Sequence, residues 1–336
     1  MSKKTSQILK QLLFLSIGVG LMWFVFQNMD VESFWESAKS MNYWFFLISA
    51  ICAMTSHYFR ALRWKLLINS IGYQPKTKNV FASVLFMYAS NIAIPRSGEI
   101  ARCGTLYKYE KIPVPQLLGT VVIERAIDLL TLLFFTGLLL VVQFEIFTNL
   151  YAQSSMPELV DKLINNQLLI YSVFGLTALI FLTLFFLRKQ IFQFGPMQKV
   201  GKLLNDLKSS FIQVFKMKTK LIFLLHTVVI WVGYVGMFYI CFFAYEPTSH
   251  LNLAAGLTAF VAGSFGMVAP TNGGIGAWHF MVILALTSLG LSAQEAGNWA
   301  NVAFGIMTIT VAAAGITAFF LLPYMNRNKK EEIIKA

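Results

Sequence analysis

Apolar stretches long enough to cross a bilayer recur from one end of this chain to the other, and that recurrence limits the fold more than any single motif does. A helix needs about 20 mostly apolar residues to cross about 30 Å of hydrocarbon. Runs near that length occupy residues 10–27, 43–59, 116–142, 168–187, 221–245 and 299–322. One such run can be the core helix of a water-soluble protein. A whole series of them cannot, because too little polar surface remains to cover a globule. Charged residues are 12% of the chain and hydrophobic residues 57%, against roughly a quarter charged in soluble domains; mean hydropathy is +0.65. The expected fold class is an all-α polytopic membrane protein with about six full spans, built as a single integral membrane domain over residues 1–336.

Net charge is +12, which in a soluble protein would suggest nucleic acid. Here Lys and Arg collect in connectors at 60–78, 188–220 and 327–335, as the positive-inside rule expects, so no nucleic-acid partner is predicted. Lys3, Lys4 and Lys10 place the N-terminus in the cytoplasm and the basic tail places the C-terminus there too, with a bacterial cytoplasmic membrane the expected location. Bulky residues in Gly18 to Phe26 leave no signal-peptide cleavage site, so the first run should remain a helix. Ser33 to Ser40 reads as a short interfacial helix. Arg60, Arg63, Trp64 and Lys65 read as anchors at a cytoplasmic membrane exit. Residues 188–220 hold eight Lys/Arg against Asp206. Phe192, Leu203, Leu207 and Phe211 give that stretch a helical stripe, which predicts an amphipathic helix on the cytoplasmic surface.

Two apolar runs stop short of a crossing. Residues 79–94 end at Pro95 and Gly98, and residues 253–269 end at Pro270 and the glycines Gly273, Gly274 and Gly276. Sixteen helical residues rise only about 24 Å, so each run reads as one arm of a re-entrant helical hairpin. The interruptions correspond: Ile94-Pro95-Arg96-Ser97-Gly98-Glu99-Ile100 and Ala269-Pro270-Thr271-Asn272-Gly273-Gly274-Ile275 share proline, glycine and isoleucine at matching places. The flanking spans correspond as well, and connector charge gives the two units opposite orientations. The reading is an inverted repeat, unit one about 42–142 and unit two about 221–322. Pro and Gly end the helical ladder, and the backbone groups they release persist in a membrane only where protein, water or ligand satisfies them. Either break alone reads most simply as a kink without function. An inverted pair points to a transporter binding site.

Charges inside apolar segments nominate the remaining site residues. Glu124, Arg125 and Asp128 lie within the run 116–142, where a lone charge costs on the order of a few kcal/mol, so they should face protein. Glu124 and Asp128 share a helix face, and Arg125 can pair with Asp128. One reading is an internal salt bridge holding this span to the first hairpin. The other is a charged-headgroup site, with Arg125 or Arg96 on a phosphate. Arg96, Glu99 and Arg102 open the helix after Pro95. Glu99 suits a helix N-terminus, and Arg96 beside exposed amides suits an anion. His57 and His279 read first as hydrogen-bonded packing residues and second as proton carriers. The candidate substrate-binding set is Arg96, Glu99, Arg102, Glu124, Arg125, Asp128, Asn272 and His279. Cys52, Cys103 and Cys241 have no metal-ligand spacing and read as small buried hydrophobes; no catalytic residue, metal or cofactor is expected.

Four segments carry a family resemblance: Arg60-Ala61-Leu62-Arg63-Trp64, Pro95 to Arg102, Glu124-Arg125-Ala126-Ile127-Asp128 and Pro270 to Gly276. In order and spacing, across about residues 10–322, the chain resembles the lysylphosphatidylglycerol synthase transmembrane-region family, flippase-like membrane proteins, without the fused synthase domain. The resemblance implies a multi-span fold with two re-entrant helices and movement of a lipid or lipid-linked cargo between leaflets. His279 stands where relatives commonly carry an acidic residue.

Three functions follow as expectations. The first is flippase-like translocation of a lipid or lipid-linked headgroup through a polar cavity between the hairpins, with anionic phospholipid or a polyprenyl-linked headgroup as cargo. The second is an accessory or scaffold subunit of cell-envelope lipid or glycan assembly, with a homo-oligomer or an envelope-assembly partner left open. A membrane-embedded lipid transferase ranks last, since neither a metal-binding acidic pair nor a positioned base is evident, and the chain is expected not to be an enzyme.

Overall fold

The computed structural model describes residues 30–94, 96–143, 216–269 and 271–327, together with 16 and 20. The runs 10–27 and 168–187, most of the basic stretch 188–220, Pro95 and Pro270 lie outside the described residues.

Local chemistry sets the helix boundaries. Helix α1, Val31–Ser40, starts at Asp30, whose carboxylate accepts from the Glu32 amide, and so begins slightly before the predicted interfacial helix. Asn42 caps α2, Tyr43–Ser70, in the same way. Next come α3, Thr77–Ala93, and α4, Gly98–Glu110. Helix α5, Val114–Val142, has Pro115 in its first turn, where no amide donor is needed. Helix α6 covers Lys220–Phe242. Helix α7, Leu253–Val268, is capped by Asn252, and a 3-10 turn at Asn272–Gly274 separates it from α8, Ala277–Ser288. A capping box of Ser292 and Glu295 opens α9, Ala293–Met325.

Among the described residues, α2, α5, α6 and α9 are long and apolar enough to cross a membrane. Between 17% and 39% of each apolar stretch is buried, so the helices expose Ile51, Leu133, Val232, Ile309 and Phe320. Faces of this kind need hydrocarbon around them. Two of these helices outrun their apolar sequence. Helix α2 continues from Phe59 to Ser70 because Arg60 and Arg63, expected as anchors at its exit, are buried against other helices. Helix α9 starts at Ala293 because its cap, not its hydropathy, decides where it begins.

The chain divides into two units, residues 1–124 with 216–336 and residues 125–215. In the second, the described residues continue α5, where the Thr131 and Thr136 hydroxyls bond back to the carbonyls one turn earlier.

Along the described chain the same succession occurs twice: a long helix, a short helix, a break, a short helix and a long helix. Helix α3 packs on α2 and α4, as α7 packs on α6 and α8. Small residues let backbones approach where hydrocarbon gives helices no hydrophobic reason to associate. A Cβ on Gly233 of α6 would stand 2.2 Å from the Ser56 hydroxyl of α2, and one on Gly315 of α9 would stand 2.6 Å from the Leu85 carbonyl of α3. Around that second contact, Ala82, Leu85, Ala318 and Leu322 form a core, with Phe86 stacked on Phe319 at 5.0 Å. Polar clamps hold both ends of α9. At its start, Asn298 donates to Ser37 at 2.8 Å and Gln294 bonds the Asp30 backbone. At its end, Asn326 and Asn79 exchange amide hydrogen bonds at 2.9 and 3.0 Å, and Asn79 also donates to Glu110.

Candidate functional site

The two breaks are built differently and lie side by side. In the first, α3 ends at Ala93 and the Ser97 hydroxyl donates to the Ser90 or Ile94 carbonyl, each 2.9 Å away. The Asn91 carboxamide oxygen then reaches across the hairpin and accepts from the Gly98 amide at 2.7 Å, capping α4 from the other arm. Gly98 is required there because a Cβ would stand 2.3 Å from the Met87 carbonyl. Arg96 adopts a left-handed backbone, φ 60°, at a cost of roughly 1–2 kcal/mol for a residue with a side chain. In the second break, Gly273, Gly274 and Gly276 take φ of 58°, 87° and 80°. Those values need no Cβ, and they turn the chain from α7 into α8.

The breaks meet. The 3-10 turn touches α3, and a Cβ on Gly273 would lie 3.6 Å from Ile92 Cα. The Arg96 guanidinium donates through Nη2 to the Val268 carbonyl at 3.4 Å. That carbonyl belongs to the last turn of α7, where helix geometry leaves acceptors over. Each hairpin is thus stitched to the end of the other. Arg96 is otherwise exposed, and Glu99 is half-buried in the first turn of α4.

A second polar centre surrounds Glu124, whose side chain is 0% exposed. Arg60 Nε donates to Oε1 at 2.8 Å and Arg102 Nη1 to Oε2 at 2.9 Å, while Arg63 Nη2 stands 3.9 Å from Oε1. Each guanidinium has further contacts. Arg60 Nη1 donates to the Tyr88 and Tyr234 hydroxyls at 3.1 and 3.3 Å. Arg63 Nη1 donates to the Thr227 hydroxyl at 3.3 Å. Arg102 lies over the Trp64 ring, 4.3 Å from its centroid, and the Trp64 indole donates to the Thr120 hydroxyl at 2.9 Å. Guanidiniums of α2 and α4 therefore converge on one carboxylate of α5, and hydroxyls of α3 and α6 bond those guanidiniums in turn. Pairing and hydrogen bonding on this scale are what a buried charge requires.

Arg102 and Glu124 of the predicted set are thus brought together, and Arg96 stands at the junction of the breaks. Arg125 and Asp128 follow along α5 in the second unit. His279 is buried against Trp278 and Phe304, at 5.4 and 4.4 Å between ring centroids, and its Nδ1 has no hydrogen-bond partner among the described residues. The Asn272 backbone starts the 3-10 turn; its side chain lies outside the described residues. His57 sits against Tyr88, with the Tyr234 hydroxyl 3.4 Å from its Nδ1.

Two members of the Glu124 centre, Arg60 and Arg63, were expected as surface anchors and are corrected to buried ligands of a carboxylate. The signal for this is in the sequence: Ser49, Ala53, Ser56, Arg60, Arg63 and Leu67 recur at alternating spacings of four and three, one continuous helix face. Trp64, placed with the anchors, is likewise fully buried.

The lysylphosphatidylglycerol synthase TM region family matches residues 10–315, nearly the whole chain. The chain belongs to this family. A shorter similarity is to UPF0104 membrane protein MJ1595 of Methanocaldococcus jannaschii, 40% identical over 77 residues, which is 22% of this chain and 23% of that protein. No solved structure gives a significant match. The family match spans the Glu124 centre and both breaks, so both are features of this family member's membrane region. Among the described residues, no group of His, Cys, Asp and Glu is arranged to hold a metal ion.

Proposed function

We propose that this family member moves a lipid or lipid-linked headgroup between the leaflets of a cell membrane, along a polar route where the two helix breaks adjoin. The observation that carries the reading is the Arg96 to Val268 contact between the breaks. It puts a cation, a helix end and a glycine-rich turn together among helices whose outer faces are apolar. Broken helices supply backbone donors and acceptors inside a membrane without exposing them to lipid tails. A headgroup can exchange water for those groups while its tails stay in hydrocarbon. In this reading the units 42–142 and 221–322 are an inverted repeat, the short helices are re-entrant, both termini are cytoplasmic, and the chain acts as a transporter without catalysing a covalent step. The Glu124 centre holds α2, α4, α5 and α6 in register around the route.

Reconstitution into vesicles tests this directly. Fluorescent-headgroup phosphatidylglycerol, reduced from outside with a membrane-impermeant quencher, reports transfer between leaflets. Wild-type protein is expected to accelerate transfer, and Arg96→Ala to slow it about tenfold, equivalent to about 1.4 kcal/mol of barrier. Equal rates for Arg96→Ala and wild type would remove the junction from the route. A basic stretch at 188–220 with eight Lys/Arg supports a second reading, an envelope-assembly subunit that docks a partner; copurification of a lipid-modifying enzyme would favour it.

A further inference from the structure

The two ends of the first unit differ in charge. One end gathers α1, the starts of α2 and α9 and the end of α6, tied by Asn298 to Ser37, by Gln294 to Asp30 and by the Asn42 amide to the Ala244 carbonyl. Its charged side chains are Asp30, Glu32, Glu36, Glu246 and Glu295 with Lys39. At the other end, the Asn79–Asn326 pair joins the start of α3 to the end of α9. The Lys65 ammonium donates to the Thr77 hydroxyl at 2.8 Å, and the Arg63 guanidinium lies over the Phe223 ring near the start of α6. Exposed Lys76 and Lys78 at α3, Lys111 after α4, Lys218 and Lys220 at α6 and Arg327 after α9 therefore share one end. Glu110, beside them, is turned inward and accepts from the Lys76 amide and from buried Asn79. Among the described residues none of these cations forms an ion pair.

Lys111 and Arg327 follow helix ends, where the dipole favours a cation. The four lysines stand at helix starts, where it disfavours one, so they do not stabilise the helices that carry them. What borders the cations is apolar. Along α9, exposed Phe319 and Phe320 lead to exposed Tyr324 and then to Arg327; along α6, exposed Leu221, Leu225 and Val228 follow Lys220. Cations at the rim of a lipid-facing surface, with a tyrosine between, suit a helix end at a headgroup layer. An acidic soluble partner would need the charges but not the apolar rim.

We infer that this end is a docking surface for the headgroups of anionic phospholipids in the leaflet it borders. Orientation needs only positive connectors; the fold goes further and collects cations from separate stretches of sequence into one surface, where a boundary lipid meets several at once. The inference is independent of headgroup transfer, since it concerns lipid that stays in its own leaflet.

The test uses the full chain in phosphatidylcholine vesicles with a trace of spin-labelled phosphatidylglycerol or, in parallel, spin-labelled phosphatidylcholine. Electron paramagnetic resonance gives the motionally restricted fraction of each at the protein boundary. A headgroup beside one surface cation is favoured about fivefold, and averaging over the whole boundary leaves an expected phosphatidylglycerol enrichment of about twofold. Lys76→Gln with Lys78→Gln, and separately Lys218→Gln with Lys220→Gln, should each lower it, and all four together should remove at least about half of the excess. Either pair suffices if the other variant does not fold. Lys39→Gln, at the opposite end, should leave the enrichment unchanged, and about 1 M salt, with a screening length of about 3 Å, should abolish it. No enrichment in wild type, or enrichment that the lysine pairs leave intact, overturns the inference. So does an equal loss with Lys39→Gln, which would make the effect one of net charge. Inorganic phosphate should compete no better than chloride at equal ionic strength; stronger competition would make the surface a free-anion site and overturn the lipid assignment.

Discussion

Replacing Glu124 with Gln should be among the most destabilising isosteric changes in this protein. Its two oxygens are divided between two helices, Oε1 accepting from Arg60 Nε of α2 at 2.8 Å and Oε2 from Arg102 Nη1 of α4 at 2.9 Å. A hydrogen bond to a charged group contributes about 1.5–3 kcal/mol, so the pair contributes about 3–6 kcal/mol. Gln keeps the volume and one acceptor, but its amide nitrogen must then face a guanidinium donor, and the carboxylate charge is gone. In a membrane the unfolded helices retain some polar partners. That moves the expected loss toward about 3 kcal/mol, the lower end for breaking a buried pair by deleting one member. At roughly 2–4 °C per kcal/mol, melting should fall by on the order of 6–12 °C. Heating the detergent-purified protein and following tryptophan fluorescence reads this directly, since Trp64 lies against Arg102. The reasoning has a second check: in the Glu124→Gln background, Arg102→Met should cost less than in wild type, because its carboxylate partner is already absent. A melting point equal to wild type for Glu124→Gln, or fully additive losses in the double variant, would refute it.

Other consequences follow from particular contacts. Arg96→Gly should melt at or slightly above wild type, because it relieves a left-handed backbone at φ 60° that costs roughly 1–2 kcal/mol, yet it should lose transfer as Arg96→Ala does. Together the two variants separate backbone strain from the guanidinium's role. Gly315→Val should lower the yield of monodisperse protein sharply, since even a Cβ would sit 2.5 Å from that of Ala89; size-exclusion chromatography reads it. The buried Asn79–Asn326 amide pair should show a coupling of about 0.6–1.7 kcal/mol in an alanine double-mutant cycle, measured by thermal melts. Ser292→Ala removes the cap of α9 and should cost about 1 kcal/mol, read in the same way.

The elements legible from sequence were those announced by more than one signal. Hydropathy marked the long helices, and Pro with Gly marked both interruptions, so the ends of α3 and α7 fall within a residue of where composition changes. That the two interruptions adjoin was suggested by their shared spacing, but the contact itself depends on tertiary placement: Arg96 reaches Val268 across 172 residues of sequence. Boundaries set by chemistry other than hydropathy were displaced. Helix α9 begins at a capping box before the apolar run starts, and α2 runs past the point where charge appears.

The displacement of α2 carries the larger lesson. A charge near the end of an apolar run is usually read as the point where a helix leaves the membrane, because a lone charge is expelled from hydrocarbon. That logic fails when a partner on another helix is available, and the partner need not be near in sequence. Arg60 meets Glu124 from 64 residues away and Arg102 meets it from 22. A salt bridge from the Glu124 span to the first hairpin is one reading of the sequence, and Arg102 of α4 supplies it; Arg60, placed as an anchor, is the partner that the sequence reading misses. What decides between anchor and ligand is the helix face. Arg60 and Arg63 continue the stripe of Ser49, Ala53 and Ser56 that α2 turns toward its neighbours, whereas Lys65 leaves that stripe and bonds the Thr77 hydroxyl beside it. A cation in register with a run of small residues belongs to an interface, and in a chain this poor in charge it implies a carboxylate waiting on a different helix.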